Sequence, residues 1–374
     1  MIIKRQLEQN IEKWLFKGKI IIIYGPRQVG KTTLSKKLIE KYGDQSSYIN
    51  CDDIHNKQQL EIHNAEHLKK FLGGGKFFVF DEAQRVKNIG LTLKLIIDTF
   101  PDIQIVATGS SSFDLSNKIN EPLTGRALEF ILYPFSYSEL SAAFSLRDTR
   151  ASLERLLRFG SYPTVINKTE QESMTLLQNL VSQYLYKDVF EFEDIRKPDL
   201  LLKILQLIAF QVGQEVSVHE LSVKLGVSTK LVSKYIELLE KAFVIFRLGA
   251  LSRNPRNEVG KKKKIYFYDL GIRNILIQRT IPLEIRDDIG FLWENFCVIE
   301  RKKKLQYQEK FANQYFWRSK YGSEVDYAEE FEGKITGYEF KWSKDKTRTP
   351  ELFVKNYNAT VNTITKDNFD EFIM

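Results

Sequence analysis

A glycine-rich loop lies near the start of the chain, where residues 25–32 read Gly-Pro-Arg-Gln-Val-Gly-Lys-Thr. This is the spacing of a P-loop, in which backbone N–H groups surround the phosphates of a nucleotide. In that pattern Lys31 reaches the outer phosphates and Thr32 coordinates magnesium. We therefore expect ATP and Mg²⁺ as cofactors, bound by Gly25, Pro26, Arg27, Gln28, Val29, Gly30, Lys31, Thr32 and Thr33.

An acidic pair follows an apolar run of four residues at 77–80. A hydrolysing P-loop protein needs acids at such a strand end. We expect Asp81 to hold magnesium through water, and Glu82 to orient and polarise the attacking water. Without a P-loop upstream, the same two acids would be read as a surface turn.

Two further polar positions complete the predicted catalytic set. The apolar run beginning at residue 103 ends in small polar residues, and AAA-like ATPases place a γ-phosphate sensor at this point. Ser110 is the first candidate for that sensor, and Thr108 is the second. Arg126 follows a loop and could neutralise transition-state charge on a neighbouring subunit's nucleotide. The alternative for Arg126 is an ordinary solvated arginine.

The elements around these residues suit their roles. Residues 19–24 form an apolar run typical of a buried parallel strand, and residues 31–43 have helical periodicity ending at a glycine. The motifs GPRQVGKTTL, FDEAQ, TGSSS, GR with PFSYSEL, and GSYP occur in that order. In this the chain resembles a prokaryotic family of AAA-like ATPases. The resemblance covers nearly the whole sequence, and it implies a winged helix and a C-terminal domain after the ATPase.

The predicted fold class is therefore α/β, with three parts. We expect an AAA-like P-loop domain with a parallel sheet at 1–150 and a helical connector with a winged helix at 151–282. A restriction-endonuclease-like α/β domain is expected at 283–374.

The middle of the chain has the pattern of a helix-turn-helix. Ser228 is a suitable N-cap for the second helix, whose apolar positions form one stripe. We expect DNA contacts from its outward residues and from a basic β-wing: Lys230, Ser233, Lys234, Arg253, Arg256, Lys261, Lys262, Lys263 and Lys264. The alternative is a module that only packs against the ATPase, with the lysines at a solvated hairpin tip.

The C-terminal part carries a second set of acids. Residues 323–342 read as two strands joined by a short acidic-glycine turn, so that Glu339 and Lys341 project from one face. Asp326 ends the alternation on the first strand. An upstream segment predicts an amphipathic helix that carries Glu294. In restriction-endonuclease-like folds such residues hold a metal ion. We expect the fold without cleavage. The competing interpretation is an exposed cross-strand ion pair.

Composition sets the remaining expectations. The 374 residues carry a net charge of +8, which favours DNA as a partner. The two cysteines lie far apart, no apolar run is long enough to cross a membrane, and residues 1–14 lack a signal peptide pattern. We therefore expect a cytoplasmic protein in a reducing environment.

The combined prediction is an ATP-hydrolysing homo-oligomer, for which a hexamer is one candidate, that acts on DNA structure such as branched or junction DNA. The alternative is a signalling or toxin–antitoxin-like regulatory ATPase whose C-terminal domain binds protein.

Overall fold

The computed structural model describes residues 2–109, 122–184, 197–252, 263–343 and 350–374. By spatial contacts the chain divides into two compact units. The first contains the described residues up to Pro134 and the segment Lys241–Phe243, and the second contains the rest. Within the described ranges no helix is long and apolar enough to cross a membrane.

The first unit is built on a parallel sheet with the strand order β2-β3-β4-β1-β5. Its strands are fully or partly buried, as expected when helices cover both faces of a parallel sheet. The strands are β1 Ile20–Tyr24, β2 Ser46–Asn50, β3 Phe77–Asp81, β4 Gln104–Thr108 and β5 Ala127–Ile131. The helices are α1 Gln6–Glu12, α2 Lys31–Glu40, α3 Ile54–Leu60, α4 Ala65–Leu72 and α5 Ile89–Thr99.

This sheet confirms the predicted parallel α/β architecture. Strand β4 lies between β3 and β1, so the residues that end these three strands meet at one edge of the sheet. In open parallel sheets, ligands bind at the carboxyl ends of the strands. The predicted nucleotide residues are therefore brought to the edge where a ligand is expected.

The second unit is built on a mixed sheet with the order β12-β11-β10-β9-β7-β8-β6. Its strands are β6 Glu215–Val216, β7 Ile245–Ala250, β8 Lys263–Phe267, β9 Asn313–Arg318, β10 Glu324–Phe331, β11 Lys334–Phe340 and β12 Thr360–Ile364. Its first helices are α6 Tyr137–Phe144, α7 Leu146–Ala151, α8 Leu153–Phe159, α9 Glu170–Tyr184, α10 Pro198–Phe210, α11 Val218–Leu225 and α12 Thr229–Lys241. The later helices are α13 Leu270–Leu276, α14 Ile289–Tyr307, α15 Glu351–Tyr357 and α16 Phe369–Ile373.

One sheet spans the two regions that the sequence separated at residue 282. The junction is a parallel pairing of β7 with β9, in which Gly249 faces Tyr315 and Ala250 faces Phe316. Strands β6, β8 and β7 on one side and β9 to β12 on the other therefore share backbone hydrogen bonds.

Residues 135–150, which the sequence assigned to the ATPase domain, lie in the second unit. Helix α6 begins with a capping box formed by Ser136 and Glu139. The first N–H of this helix, from Tyr137, donates to a carboxylate oxygen of Glu300 on α14 at 2.7 Å. The ammonium of Lys303 donates to the carbonyl of Phe135 at 3.0 Å. These bonds attach the start of α6 to α14.

The motif at residues 160–163 requires a glycine at its first position, because the backbone there packs closely against Asp269. Gly160 has a φ of +72°, and a Cβ atom built there would lie 2.1 Å from Oδ1 of Asp269. The Asp269 carboxylate caps α13 through the N–H of Ile272 at 3.1 Å and accepts the N–H of Ser161 at 2.8 Å. Burial raises the pKa of this carboxyl to about 6.

Helix α14 differs from the amphipathic helix predicted by the sequence. All residues from 292 to 300 are buried, so this part of the helix is enclosed on every side. Polar residues within it have internal partners; Asn295, for example, pairs with the backbone of Phe267 at 2.8 and 2.9 Å. The amphipathic prediction was therefore wrong, because buried polar residues with partners were counted as a solvent-facing stripe.

Candidate functional site

The P-loop connects β1 to α2 in the predicted strand–loop–helix arrangement. Gly25 has a φ of +149°, and a Cβ atom there would lie 2.2 Å from the carbonyl oxygen of Leu132. Gly30 is left-handed, with a φ of +98°, and precedes the first residue of α2. Both glycines are thus required by backbone geometry, and the loop ends at a helix N-terminus that favours phosphate.

Lys31 is buried within this loop. Its ammonium donates to the carbonyls of Gly25 and Pro26, each at 2.8 Å. These two bonds hold the charge inside the curve of the loop, where it is positioned to bind outer phosphate oxygens. Phosphates are stronger acceptors than carbonyls, so the ammonium can exchange these partners for a nucleotide.

The Asp81 carboxylate accepts hydrogen bonds from three hydroxyl groups, each on a different strand or helix. Thr32 at the start of α2 donates to Oδ2 at 2.7 Å, and Tyr48 of β2 donates to the same oxygen. Thr108 at the end of β4 donates to Oδ1. A hydroxyl and a carboxylate side by side are oxygen ligands of the kind that Mg²⁺ prefers. The residues present therefore fit a magnesium ion held by Thr32 and Asp81.

Glu82 lies at the same edge of the sheet. Its backbone is left-handed, with a φ of 54°, and its N–H donates to the hydroxyl of Thr108 at 3.2 Å. Its carboxylate accepts a hydrogen bond from the Gln84 amide at 2.5 Å. The structure thus brings Glu82 beside Asp81, with Gln84 fixing the direction of its side chain.

Of the two remaining predicted catalytic residues, the structure describes only Arg126, which is not brought to this edge. Ser110 lies outside the described residues, whereas its alternative, Thr108, is buried beside Asp81. Arg126 precedes β5, and its carbonyl accepts the N–H of Ile20 at the start of β1. It therefore lies at the opposite end of the strands from the P-loop, ~13 Å away by the rise per residue of a strand. Its guanidinium binds Asp98 at 2.7 Å.

Three residues that the sequence did not single out contact the carboxyl edge of the first sheet, which carries the P-loop and the pair Asp81 and Glu82 and which we call the nucleotide edge. Tyr48 and Gln84 contact the acidic pair, as described above. Arg5 is buried and donates to the carbonyl of Val29 in the P-loop at 2.7 Å and to that of Tyr133 at 2.5 Å. A lone arginine near the N-terminus carries no motif, so only the three-dimensional contact identifies it.

The helix-turn-helix pattern corresponds to α11 and α12. The hydroxyl of Ser228 caps α12 by accepting the N–H of Leu231 at 3.3 Å, as predicted. Lys230, Ser233 and Lys234 are exposed on α12. The opposite face is buried through Val232, Tyr235, Ile236, Leu238 and Leu239.

The predicted basic wing is described only in part. Arg253, Arg256, Lys261 and Lys262 lie outside the described residues, and Lys263 is half-buried at the start of β8. Lys264 was predicted to contact DNA, and this prediction was wrong. Its side chain is 3% exposed and forms ion pairs with Glu294 at 2.9 Å and Glu324 at 2.6 Å. A run of four lysines hides the alternation of a strand, which turns every second side chain inward.

The acids of the C-terminal region do converge. The register of β10 and β11 pairs Tyr327 with Tyr338, so Asp326 and Glu339 are adjacent on facing strands. The register of β10 with β9 shifts between Val325 and Ala328, the interval that contains Asp326. Lys341 lies 3.4 Å from Glu339. Glu294 of α14 completes the group, and we call Glu294, Glu324, Asp326 and Glu339 the carboxylate cluster.

Burial and mutual repulsion control protonation in the carboxylate cluster. Burial is the main cause that raises the pKa of Glu294 to about 7, and the charge of Asp326 adds to it. Burial and the charge of Asp326 likewise raise the pKa of Glu339 to about 7. The pKa of Asp326 is raised mainly by burial, against the lowering effect of Lys264. The cluster therefore brings together carboxylates that repel one another when they are ionised.

Comparison with known proteins divides the chain into three matched regions. Residues 17–141 match the family model of an AAA domain. Residues 150–282 and 289–366 match two family models that are described as domains of unknown function.

Similar proteins occur in bacteria and archaea. An uncharacterized protein of Mycobacterium tuberculosis is 27% identical over 97% of this chain and 78% of its own length. One from Methanocaldococcus jannaschii is 25% identical over 80% of this chain and 70% of its own length. The replication factor C large subunit of Staphylothermus marinus is 30% identical over 91 residues, which are 23% of this chain and 21% of that protein.

Among solved structures, the chain aligns with the Thermotoga maritima RuvB Holliday junction branch migration motor. The TM-score is 0.35 at 19% identity, over 68% of this chain and 91% of that one. The loop, the acidic strand end and the strand order agree with the family match over residues 17–141. Over residues 17–141 the chain is therefore similar to an AAA domain, with a P-loop at the carboxyl edge of its parallel sheet.

Proposed function

We propose that this chain hydrolyses ATP at the carboxyl edge of the five-stranded sheet. The observation that carries the proposal is the pairing of Thr32 with Asp81 at 2.7 Å, directly after the P-loop lysine. Lys31 and the loop N–H groups bind the phosphates. Thr32 and Asp81 hold a magnesium ion, which when bound neutralises charge on the phosphates. Glu82 accepts a hydrogen bond from the attacking water and thereby orients it.

The hydrolysis proposal is tested by separating binding from turnover. Lys31→Ala is expected to abolish binding of a fluorescent ATP analogue, whereas Glu82→Gln is expected to bind it normally and release no phosphate. Glu66→Gln, which changes an exposed glutamate of α4, serves as the matched control. Normal turnover by Glu82→Gln would remove Glu82 from the mechanism.

We further propose that the enzyme acts on DNA through a winged helix formed by α10, β6, α11, α12, β7 and β8. The supporting observation is the order β7-β8-β6 beside a helix-turn-helix whose second helix exposes Lys230 and Lys234. Such a helix can enter a major groove, and its lysines can contact phosphates. The net charge of +8 agrees with an anionic partner. Lysine and serine carry little base-reading chemistry, which favours recognition of DNA structure over sequence.

DNA binding is tested with single-stranded, duplex and four-way DNA, with and without ATP. The double variant Lys230→Gln/Lys234→Gln should weaken duplex binding and lower the log–log salt slope by ~0.9 for each lost phosphate contact. The control Lys69→Gln/Lys70→Gln removes the same charge from an exposed face of α4. Equal effects of both double variants would show non-specific charge attraction. No binding and no stimulation of ATP hydrolysis by any DNA would favour the protein-binding regulatory ATPase.

We also propose that the enzyme works as a homo-oligomer in which Arg126 acts on a neighbouring subunit. Its distance from the P-loop of its own chain excludes a direct role there, and its ion pair with Asp98 would have to open. Arg126→Ala should then lower hydrolysis with little change in ATP affinity. Mixing it with Lys31→Ala protein should restore part of the activity, and a monomeric mass without such rescue would refute this role.

For the C-terminal region we propose a restriction-endonuclease-like arrangement that no longer cleaves. Its support is the placement of Glu294 on a helix and of Asp326, Glu339 and Lys341 on a hairpin. Purified protein with Mg²⁺ or Mn²⁺ should leave each DNA substrate intact. Nicking that disappears in Asp326→Ala, with ATP hydrolysis retained, would refute the loss of cleavage.

A further inference from the structure

A lysine from another part of the sequence pairs with two members of the carboxylate cluster. The ammonium of Lys264, on β8, is 2.9 Å from Oε1 of Glu294 on α14 and 2.6 Å from Oε1 of Glu324 on β10. Its side chain is 3% exposed, whereas that of Lys341 is 38% exposed. Of these two cations, Lys264 is therefore enclosed with the acids, and Lys341 lies at the rim.

The position of Lys264 is fixed by the sheet. On one side it pairs with Glu215 of β6, and on the other with Leu248 of β7, so its backbone is held by two strands. Its ammonium also lies 5.6 Å from the centre of the Phe316 ring. Carboxylates from a helix and a strand, and an aromatic ring from a third element, thus surround one buried positive charge.

One oxygen of Glu294 and one of Asp326 are already engaged within the protein. Oε1 of Glu294 accepts the Tyr266 hydroxyl at 2.6 Å in addition to Lys264. A Cβ atom at Gly213 would lie 3.3 Å from the same carboxylate, so backbone covers it closely. Oδ2 of Asp326 accepts the N–H of Phe340 at 2.8 Å.

These contacts do not fit the metal centre that a nuclease of this fold requires. Across the part of the chain that the structure describes, no three acidic, histidine or cysteine side chains form a group able to hold a metal ion. Magnesium demands near-ideal geometry from its oxygen ligands, whereas an ammonium accepts looser arrangements.

We propose that the ammonium of Lys264 is the resident cation of the carboxylate cluster and occupies the place of a metal ion. The cluster then joins β8 to α14 and β10 instead of binding a divalent cation. Replacing the ammonium by an uncharged group of similar length would leave the carboxylates without their buried counter-charge. Such a change should create a metal site. This inference rests on the proposed restriction-endonuclease-like arrangement and depends on neither ATP hydrolysis nor DNA binding.

The test uses Mn²⁺ and the full chain in an Asp81→Asn background, which removes the metal ligand of the nucleotide edge. With Lys264 present, titration followed by the electron paramagnetic resonance of free Mn²⁺ should show no stoichiometric site at sub-millimolar concentrations. Lys264→Met should bind one Mn²⁺ per chain at least tenfold more tightly, and adding Asp326→Asn should abolish that gain. Lys341→Met is the matched control, because it removes a lysine that pairs with Glu339 at the rim of the cluster, and it should create no site.

Stoichiometric Mn²⁺ binding with Lys264 present, lost on Asp326→Asn, would overturn the proposal. So would a folded Lys264→Met variant that gains no affinity for Mn²⁺. If Lys264→Met fails to fold, the test is instead the rate at which an acylating reagent modifies Lys264 in the Asp81→Asn protein, with and without Mn²⁺. Mn²⁺ should then leave the slow modification of Lys264 unchanged, and faster modification of Lys264 on adding Mn²⁺ would show that a metal displaces the ammonium.

Discussion

Thr108, the last residue of β4, donates its hydroxyl hydrogen bond to Asp81, the last residue of β3. The same hydroxyl oxygen accepts the N–H of Glu82 at 3.2 Å. A single buried hydroxyl thus connects the residue that would hold magnesium with the residue that would orient water. This gives Thr108 a position from which it can influence turnover.

Replacing Thr108 with valine keeps its size and branching but removes both hydrogen bonds. A bond to a charged group contributes about 1.5–3 kcal/mol, so we expect the rate constant of ATP hydrolysis to fall ten- to a hundredfold. Affinity for ATP should change little, as measured with a fluorescent analogue. Thr92→Val is the control, since it removes a buried bond to the Leu60 carbonyl away from this edge. Equal losses of activity in both variants would contradict the role of Thr108.

Arg5 joins the P-loop to the segment after β5 through two backbone carbonyls. Lysine cannot reach both Val29 and Tyr133, because it lacks the forked guanidinium. We expect Arg5→Lys to raise the Kd for ATP about tenfold, equivalent to ~1.4 kcal/mol. Isothermal titration of nucleotide measures the effect, with Lys4→Arg, at an exposed neighbour, as the control. Reduced thermal stability with unchanged ATP affinity would show that Arg5 only supports the fold.

Gly160 should tolerate no side chain. Alanine at this position would place Cβ 2.1 Å from Asp269, in addition to the strain of a φ of +72°. We expect a loss of ~3 kcal/mol or more in the free energy of unfolding of the second unit. Gly333→Ala shares the left-handed backbone but has open space around Cβ, so it should cost only ~1 kcal/mol.

Urea unfolding measures the difference between these variants. In a Trp14→Phe background the remaining tryptophans, Trp293, Trp317 and Trp342, all lie in the second unit, so their fluorescence reports on that unit. Equal losses at the two glycines would disprove the close packing against Asp269.

The raised pKa of Glu294 predicts a pH dependence of stability. Its pKa is about 7 in the folded chain and 4.5 for the ordinary group, so the folded state binds the proton more tightly. Its stabilising contribution is therefore complete below pH 4.5 and is lost as the pH rises to 7. In the same tryptophan background, Glu294→Gln should reduce the fall in unfolding free energy over this interval, by up to ~1.4 kcal/mol per pH unit. An identical slope in both proteins would contradict the raised pKa.

The sequence predicted which residues meet at the carboxyl edge of the first sheet, because the motifs that carry them are local. The loop of residues 25–32 and the acids at 81 and 82 each follow an apolar strand, and parallel strands deliver such residues to one edge. Arg5 and Tyr48 were missed, because their contacts depend on chain segments that are distant in sequence.

The second unit shows where local patterns fail. The hairpin of β10 and β11 was predicted correctly, since its acidic-glycine turn lies between two alternating strands. Lys264 was placed on the surface, because nothing nearby in sequence reveals the carboxylates that surround it. The pairing of β7 with β9 was also beyond reach, since it joins residues more than 60 positions apart.

That pairing has a consequence for how this protein can be divided. A fragment that ends at residue 282 would leave β7 paired with β8 alone, and one that begins at 283 would leave β9 paired with β10 alone, each with an open row of N–H and carbonyl groups. Open strand edges recruit other chains, so both fragments should aggregate. The two regions therefore depend on each other for solubility, and residue 282 is not a position at which the chain can be cut.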